Sequence, residues 1–150
     1  MHRFKYQGNL FLKHEFTRLM ICFLETHQFD IKQFDLIMPV PLHPAKMRER
    51  GFNQSEILAQ IISKKYDIPL YNKSLIRVKN TKTQTLLDQK ERWTNLKGAF
   101  RIKHSKNLNF KNILIIDDLL TTGATVSEAG RMLKLAGAGT VGVLTLAIVK

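Results

Sequence analysis

Two adjacent carboxylates, Asp117 and Asp118, follow an apolar run at residues 113–116. Four apolar, mostly β-branched residues are typical of a buried β-strand, so we expect the carboxylates to lie where that strand ends. Carboxylates accept hydrogen bonds and bind hydrated divalent cations. The pair could therefore hold sugar hydroxyls or a cation. The alternative is a buried strand whose end happens to be acidic.

A run of hydroxyls around a glycine comes next and predicts an anion site. Its residues are Thr121, Thr122, Gly123, Ala124 and Thr125. Thr125 and Glu128 fit a capping box, which predicts that a helix begins at Thr125. The first amides of a helix have no intrahelical partner, and the helix dipole favours negative charge there. A ligand with a phosphate next to a diol satisfies both halves, which describes a ribose 5-phosphate.

A second strand–loop–helix segment carries the opposite charge. Residues 34–41 predict a strand that ends or bulges at Pro39, and Asn53 with Glu56 predicts a helix start. The cations of the proline-bounded loop between them are Lys46, Arg48 and Arg50. Guanidinium groups bind phosphate oxygens bidentately, so this loop is a candidate diphosphate site. A solvated basic loop is the alternative.

Two other phosphate-handling classes share part of the first pattern and are excluded. A phosphate-accepting receiver domain also has an apolar strand that ends in two aspartates. It needs another acceptor aspartate well downstream, and Glu128 is the only acidic residue after Asp118. A Walker-type loop needs Gly-Lys-Ser/Thr, which the sequence lacks.

Residues 115–125 closely resemble the phosphoribosyl-diphosphate (PRPP) binding signature of type I phosphoribosyltransferases. Residues 5–8 and 39–54 resemble, more narrowly, the ComF/GntX branch of that superfamily. The spacing of that branch is also kept by Arg77, Thr83, Gln84, Leu87, Arg92, Asn95, Lys97, Gly98, Ala99 and Phe100. The resemblance implies an α/β fold with a central, mostly parallel sheet flanked by helices. It implies a single domain over residues 1–150, with an N-terminal helical or hood segment at about residues 1–30.

The resemblance also implies an activity. A nucleophile would displace pyrophosphate at the anomeric carbon of PRPP, and Mg²⁺ would arrive with the ligand. Residues 121–125 would hold the 5-phosphate, and Asp117 and Asp118 would bind the ribose hydroxyls directly or through magnesium-bound water. The three loop cations would neutralise the departing pyrophosphate. No residues that would select a nucleobase can be identified, so the acceptor, and whether turnover occurs at all, stay open.

The remaining segments predict the elements around these sites. Apolar residues at helical spacing up to about Thr26 predict a packed helix, with its aromatic residues and Cys22 in the core. The polar segment at residues 79–95 would be the flexible hood loop of type I enzymes, which excludes water from the reaction, or a plain surface loop. Residues 98–102 predict a strand, and residues 141–149 predict a final strand buried on both faces.

Cysteine content and hydropathy limit the other classes. Cys22 is the only cysteine, so the chain cannot form the four-cysteine zinc module with which many family members begin. It is either a short form or continues upstream, and no structural metal is expected. No apolar run reaches the roughly 18 residues of a membrane span, and no signal peptide is evident. We expect a cytoplasmic protein.

The net charge of +12 leaves a second function open. Residues 64–111 contain 13 lysines and arginines against 3 acidic residues, which attracts polyanions unless it only maintains solubility. ComF-like proteins are linked by family to natural competence. The alternative is therefore a non-enzymatic factor that binds single-stranded DNA or competence-machinery proteins, with the PRPP site as a sensor or a relic. Trp93, Phe100 and Tyr71 would stack on the bases. A homodimer is a further hypothesis.

Overall fold

The computed structural model describes residues 10–81, 89–103 and 108–149. Within these ranges helices and strands alternate, which confirms the α/β class. In chain order the elements are α1 (Leu10–Thr26), β1 (Leu36–Pro39), α2 (Pro44–Arg50), α3 (Gln54–Tyr66), β2 (Leu75–Arg77), α4 (Gln89–Leu96), β3 (Phe100–Ile102), β4 (Ile113–Leu120), α5 (Ala124–Leu135) and β5 (Val141–Ile148).

Three of the described strands form a parallel sheet in the order β1–β4–β5. Ile113 of β4 lies opposite Leu36 of β1 on one side and Val141 of β5 on the other. Strands β2 and β3 form a separate antiparallel pair, with Arg77 opposite Phe100. The predicted parallel sheet is confirmed, and β4 is its central strand.

The two faces of β4 are covered by different elements, because successive residues of a strand point to opposite faces. On one face Ile113 and Ile115 pack with side chains of α5 and of the β2–β3 pair. On the other face Leu114 and Ile116 pack with side chains of α1 and α3. Each fully buried aliphatic side chain contributes about 1.5–3 kcal/mol, so β4 is the best-anchored strand of the sheet.

Strand β1 ends at Pro39, which confirms the predicted strand end. The N–H of Ile37 points away from β4 and donates to the Pro69 carbonyl oxygen at 2.9 Å, whereas the N–H of Val40 donates to Ile116 of β4 at 2.9 Å. Pro39 alternates with Val40, so its missing N–H would have faced away from β4. The proline therefore removes no hydrogen bond of the β1–β4 ladder.

Two predictions about burial are wrong. Strand β5 lies at the edge of the described sheet, and only Leu144 among its residues is buried. Among the α1 side chains that the structure describes, from residue 15 onwards, Met20 and Leu24 are buried and Phe16 packs against the core, whereas Phe23 is 51% exposed and Cys22 is exposed as well. The apolar period of α1 identified the helix correctly, but the face that meets the sheet is narrower than the apolar stripe.

The segment predicted as a hood loop lies partly outside the described residues. Residues 82–88 belong to that part, whereas Gln89–Leu96 forms α4, so the end of the segment is helical and not a loop. The strand expected at residues 98–102 is β3. No helix in the described ranges is long and apolar enough to cross a membrane.

Candidate functional site

Strand β4 continues to Leu120, so Asp117 and Asp118 lie within the strand and not after its end. Asp117 is opposite Thr145 of β5, and the pairing continues to Leu120 opposite Ile148. Both carboxylates are buried. Because strand residues alternate, we expect the two side chains to point to opposite faces of β4. The expected strand end was wrong by four residues, since pairing with β5 extends the ladder past the acidic pair.

The Asp117 carboxylate is held by two hydrogen bonds to the same oxygen. The Ser55 hydroxyl and the Asp118 N–H each donate to Oδ1 at 2.9 Å. Ser55 belongs to the first turn of α3, so these bonds tie the start of α3 to the carboxyl-terminal half of β4. Sequence reasoning missed Ser55. Its place two residues after Asn53, at a predicted helix start that follows a strand, was the available signal.

Asn53 is the residue before α3, as predicted, but it does not form a capping box. Its Nδ2 donates to the Val40 carbonyl oxygen at 3.0 Å, and no side-chain cap bond is present at this helix. Glu56 Oε1 instead accepts from Nδ2 of Asn72 at 2.6 Å. Asn53 therefore fixes the end of β1 to the start of α3 and does not cap the helix.

The phosphate loop, residues 121–125, leads from β4 into α5. The helix is preceded by Gly123, whose φ of 77° is left-handed, and its first turn contains no acidic residue. The first helical bond runs from the Ser127 N–H to the Gly123 oxygen at 2.9 Å. The amides of Ala124 and Thr125 come before it, at the positive end of the helix dipole. Ala124 N–H has a long contact of 3.4 Å to Thr122 Oγ1.

Glu128 does not cap α5, so the predicted capping box with Thr125 is wrong. Its Oε1 accepts from the Gly98 N–H at 2.7 Å, and Arg131 donates to both of its oxygens at 2.8 Å. The bonds from Arg131 lower the pKa of Glu128 most. Burial raises this pKa, and the bond from the Gly98 N–H lowers it further. Because Gly98 lies just beyond the end of α4, Glu128 connects that end to α5, the helix that begins at the phosphate loop.

The segment predicted as a cationic loop contains a short helix, α2. Nδ1 of His43 accepts from the Ala45 N–H at 3.2 Å, Pro44 is the first helical residue, and Gly51 ends the helix with a φ of 77°. Proline is suited to a first helical position because its missing N–H would have no partner there. The two prolines that suggested a loop thus bracket a helix start.

The helix separates the three predicted cations. Lys46 and Arg50 are half-buried, and they lie one turn apart on the same side of α2. Arg48 is exposed and lies on the other side. Lys46 and Arg50 can therefore serve one bound anion together, whereas Arg48 is turned away from them.

A fourth cation, Arg77, belongs to strand β2, and the sequence analysis gave it no role in ligand binding. Its Nη2 donates to Thr81 Oγ1, and its guanidinium lies over the Phe100 ring, 5.5 Å from the centroid. Burial lowers the pKa of Arg77, Asp117 raises it, and Arg50 lowers it further. Arg77 therefore lies within electrostatic reach of both the β4 carboxylate and α2. The only sequence signal was its place in the family pattern.

The aromatic residues proposed for base stacking differ in accessibility. Trp93 on α4 is 47% exposed, Tyr71 is half-buried, and Phe100 is buried beneath Arg77. The prediction that Phe100 is available for stacking is wrong, because its ring belongs to the core.

Comparison with known proteins places these residues in one family. The phosphoribosyl transferase domain model matches residues 50–149. Competence protein F of Haemophilus influenzae is 37% identical over 142 residues, which cover 91% of this chain and 61% of that protein. DNA utilization protein YhgH of Escherichia coli O157:H7 is 38% identical over 112 residues, which cover 75% of this chain and 48% of that protein. The chain thus spans about half to three fifths of the length of these relatives.

Solved structures show the same fold. A purine phosphoribosyltransferase from Pyrococcus horikoshii Ot3 superposes with a TM-score of 0.55 at 18% identity, over 92% of this chain and 73% of that one. At such low identity the similarity shows the fold alone.

Proposed function

Because the chain belongs to the phosphoribosyl transferase domain family, in the branch of competence protein F, we propose that it binds PRPP with Mg²⁺ and transfers the phosphoribosyl group with release of pyrophosphate. The observation that carries the proposal is the arrangement at the carboxyl ends of two adjacent parallel strands. The cations of α2 follow β1, and the amino terminus of α5 follows the carboxylates of β4. In α/β sheets ligands bind at this edge.

The phosphate loop binds the 5-phosphate in this proposal. The amides of Ala124 and Thr125 precede the first helical hydrogen bond, and the loop hydroxyls add further donors. A Cβ built on Gly123 would meet no atom within 4 Å, so the space beside the residue that precedes these amides is open. A phosphate dianion is stabilised there by the helix dipole and by direct N–H donation.

The carboxylates of β4 bind the ribose hydroxyls and fit a magnesium ion that shares its ligands with the substrate. The described residues contain no group of three or more metal-ligating side chains, so the protein offers Asp117 and Asp118 and not a complete cage. Mg²⁺ commonly takes one or two carboxylates and completes its shell with substrate phosphates and water. When bound, the ion neutralises oxygens of the diphosphate. Ser55 keeps the Asp117 carboxylate in place.

Lys46 and Arg50 stabilise the departing pyrophosphate. Negative charge grows on the bridging oxygen as the bond to the anomeric carbon breaks, and cations fixed in advance stabilise that charge. Both residues are half-buried on one side of α2, where an ion pair is screened less than in open solvent. Arg48 lies on the exposed side, so its contribution is smaller.

Turnover is tested with isotopically labelled PRPP, Mg²⁺ and a panel of purine and pyrimidine bases. The proposal expects pyrophosphate and one labelled nucleotide to appear together with at least one acceptor. A folded protein that binds PRPP but releases no pyrophosphate with any acceptor contradicts the transferase step and leaves the binding site as a sensor.

A second function is single-stranded DNA binding, which the exposed Trp93 and the neighbouring basic surface favour. Lys97, Arg101 and Lys103 are exposed around α4 and β3. An exposed aromatic ring beside cations suits base stacking and phosphate contacts. A gel-shift series with single-stranded oligonucleotides at rising salt tests it. Binding that weakens with salt and with Trp93→Ala supports this function, and no shift at low salt contradicts it.

A further inference from the structure

Strand β5 forms an open edge of the parallel sheet. It pairs with β4 on one side, and no other described strand pairs with it. At Val141–Ile148 it is as long as the central strand β4. An open edge strand presents a row of N–H and C=O groups to which another strand can bind. The outer edge of β5 is therefore a candidate interaction surface.

The hydrogen bonds to β4 show which backbone groups of β5 point outward. The Thr140 carbonyl oxygen accepts from the Ile113 N–H of β4 at 2.8 Å. Because the backbone groups of successive strand residues point to alternate sides, the N–H and C=O groups of Val141, Val143 and Thr145 point away from β4. Only an extended chain matches the spacing of these groups, so the edge selects a strand as its partner.

Strand β5 lacks the features that usually keep edge strands from pairing, which are lysines, prolines and short length. Residues 135–149 contain no proline, and they are the longest run of the sequence without Asp, Glu, Lys or Arg. Val143 is 44% exposed and Ile148 is 69% exposed. The chain carries a net charge of +12, so an uncharged edge is where two copies can approach without opposing like charges.

We propose that β5 pairs with β5 of a second copy, antiparallel about a two-fold axis, and forms one continuous sheet across a homodimer. The axis passes beside Val143, the middle one of the three outward residues. Val143 then lies opposite Val143 of the second copy, and Val141 lies opposite Thr145. In this register each outward residue donates and accepts one hydrogen bond, and no cross-strand pair contains a charge. The contact uses the same surface of both copies, as a two-fold dimer requires.

This arrangement goes beyond the proposed function and is independent of it. The carboxyl ends of two antiparallel strands point in opposite directions. The ligand-binding edges of the two copies therefore lie at opposite ends of the joined sheet, and each chain keeps its own candidate site. Dimerisation accordingly requires no ligand.

The first test measures the mass of the protein by sedimentation equilibrium at chain concentrations from about 1 to 100 µM. We expect a reversible equilibrium between monomer and dimer. The dimer should persist at high salt, because no charged pair crosses the contact. A monomer throughout this range overturns the inference. Association that is lost at high salt also overturns it, because charged surfaces would then form the contact.

Substitutions at Val143 test the register. Val143→Lys and Val143→Glu each place like charges opposite each other, so each variant alone should dimerise at least about tenfold more weakly than the wild type. An equimolar mixture of the two should recover the dimer as a heterodimer, because its charges are opposite. The matched control is Val78→Lys, the same change at another exposed valine, directly after β2. It should dimerise like the wild type.

Unchanged dimerisation of Val143→Lys contradicts the pairing, and so does a mixture of the folded variants that recovers no heterodimer. If a Val143 variant does not fold, hydrogen exchange of the wild type replaces it. The amides of Val143 and Thr145 should exchange more slowly as the protein concentration rises, because they gain acceptors only in the dimer. The Leu144 amide points towards β4 and should be protected equally at every concentration. Exchange at Val143 and Thr145 that does not depend on concentration overturns the inference.

Discussion

The phosphate loop and the cationic helix α2 are two solutions to binding an anion at the edge of one sheet. Each follows a parallel strand, and each has at one end of its helix a glycine with a φ of 77° that has nothing within 4 Å of a Cβ built on it. Gly123 precedes α5, whereas Gly51 ends α2. The phosphate loop therefore presents backbone amides at a helix amino terminus. Helix α2 presents cationic side chains near its carboxyl terminus, where the dipole favours them.

Anion binding should respond differently to substitution in the two regions. A site made of backbone amides tolerates changes of side chain but is sensitive to any atom added in front of it. A site made of cationic side chains depends on which face of the helix they occupy. Paired variants of the two regions distinguish these dependences.

The largest effect is expected from changing Asp117 and Asp118 to asparagine together. The amide oxygen that Asp117→Asn introduces can still accept from Ser55, so the fold should be kept, but the negative charge that binds ribose hydroxyls and Mg²⁺ is lost. PRPP affinity should fall at least about 100-fold, which is about 2.7 kcal/mol. Calorimetry with Mg²⁺ measures the affinity, and circular dichroism monitors folding.

Asp67→Asn is the matched control for that pair. Asp67 is exposed beyond the end of α3 with a φ of 55°, a conformation that asparagine accepts readily. It should bind PRPP like the wild type. An unchanged PRPP affinity in the folded double variant would refute the assignment of the β4 carboxylates.

Gly123→Ala and Gly51→Ala compare the two connections directly. Both place a Cβ on a left-handed residue, so each should lose about 1–2 kcal/mol of folding free energy. Only Gly123 directly precedes the α5 amides, so Gly123→Ala should weaken ribose 5-phosphate binding about tenfold. Denaturant titration and calorimetry measure the two quantities. Equal affinity for ribose 5-phosphate in both variants would contradict the backbone site.

Arg50→Gln and Arg48→Gln test which face of α2 binds the diphosphate. Arg50 is half-buried, so its loss should weaken pyrophosphate binding about tenfold. Arg48 is exposed, so its loss should reduce the free energy of pyrophosphate binding by at most about 0.5 kcal/mol. This small reduction should depend strongly on salt concentration. If Arg48→Gln is the more damaging change, the orientation of α2 in the ligand complex differs from that described.

The smallest effect on ligand binding is expected from Glu128, whose bonds to Gly98 and Arg131 support the fold. Its folded pKa is lowered, so its stabilisation is present above the unfolded carboxyl pKa of about 4.3 and is lost as the pH falls through the lower folded value. Glu128→Gln should lose about 1–3 kcal/mol at neutral pH. The difference from wild type should shrink towards acid pH in urea titrations. A difference independent of pH would show that packing and not charge is responsible.

The parts of the fold that the sequence predicted are those with strong periodic or compositional signals. The buried run at residues 113–116, the helix after Asn53 and the strand at Phe100–Ile102 depend on local pattern and were correct. Capping was less predictable. The side chains of Asn53 and Glu128 bond to distant backbone groups of Val40 and Gly98, and such long-range partners leave no local trace.

The candidate site was predictable in its residue types and less so in its geometry. The pairing of β4 with β5 carries the strand past Asp117, and the prolines around residues 41–44 frame a helix. The position of Arg77 depends on how the β2–β3 pair packs on the sheet. No spacing in the sequence reveals that packing, which is why a residue between the two halves of the site was missed.

The most direct test of the central claim is a calorimetric titration of the wild-type protein with PRPP in the presence of Mg²⁺. We expect saturable binding of one PRPP per chain, stronger than that of either ribose 5-phosphate or pyrophosphate alone, because one ligand engages the phosphate loop and α2 together. Absence of PRPP binding up to millimolar concentration, where the binding free energy is only about −4 kcal/mol, would contradict it.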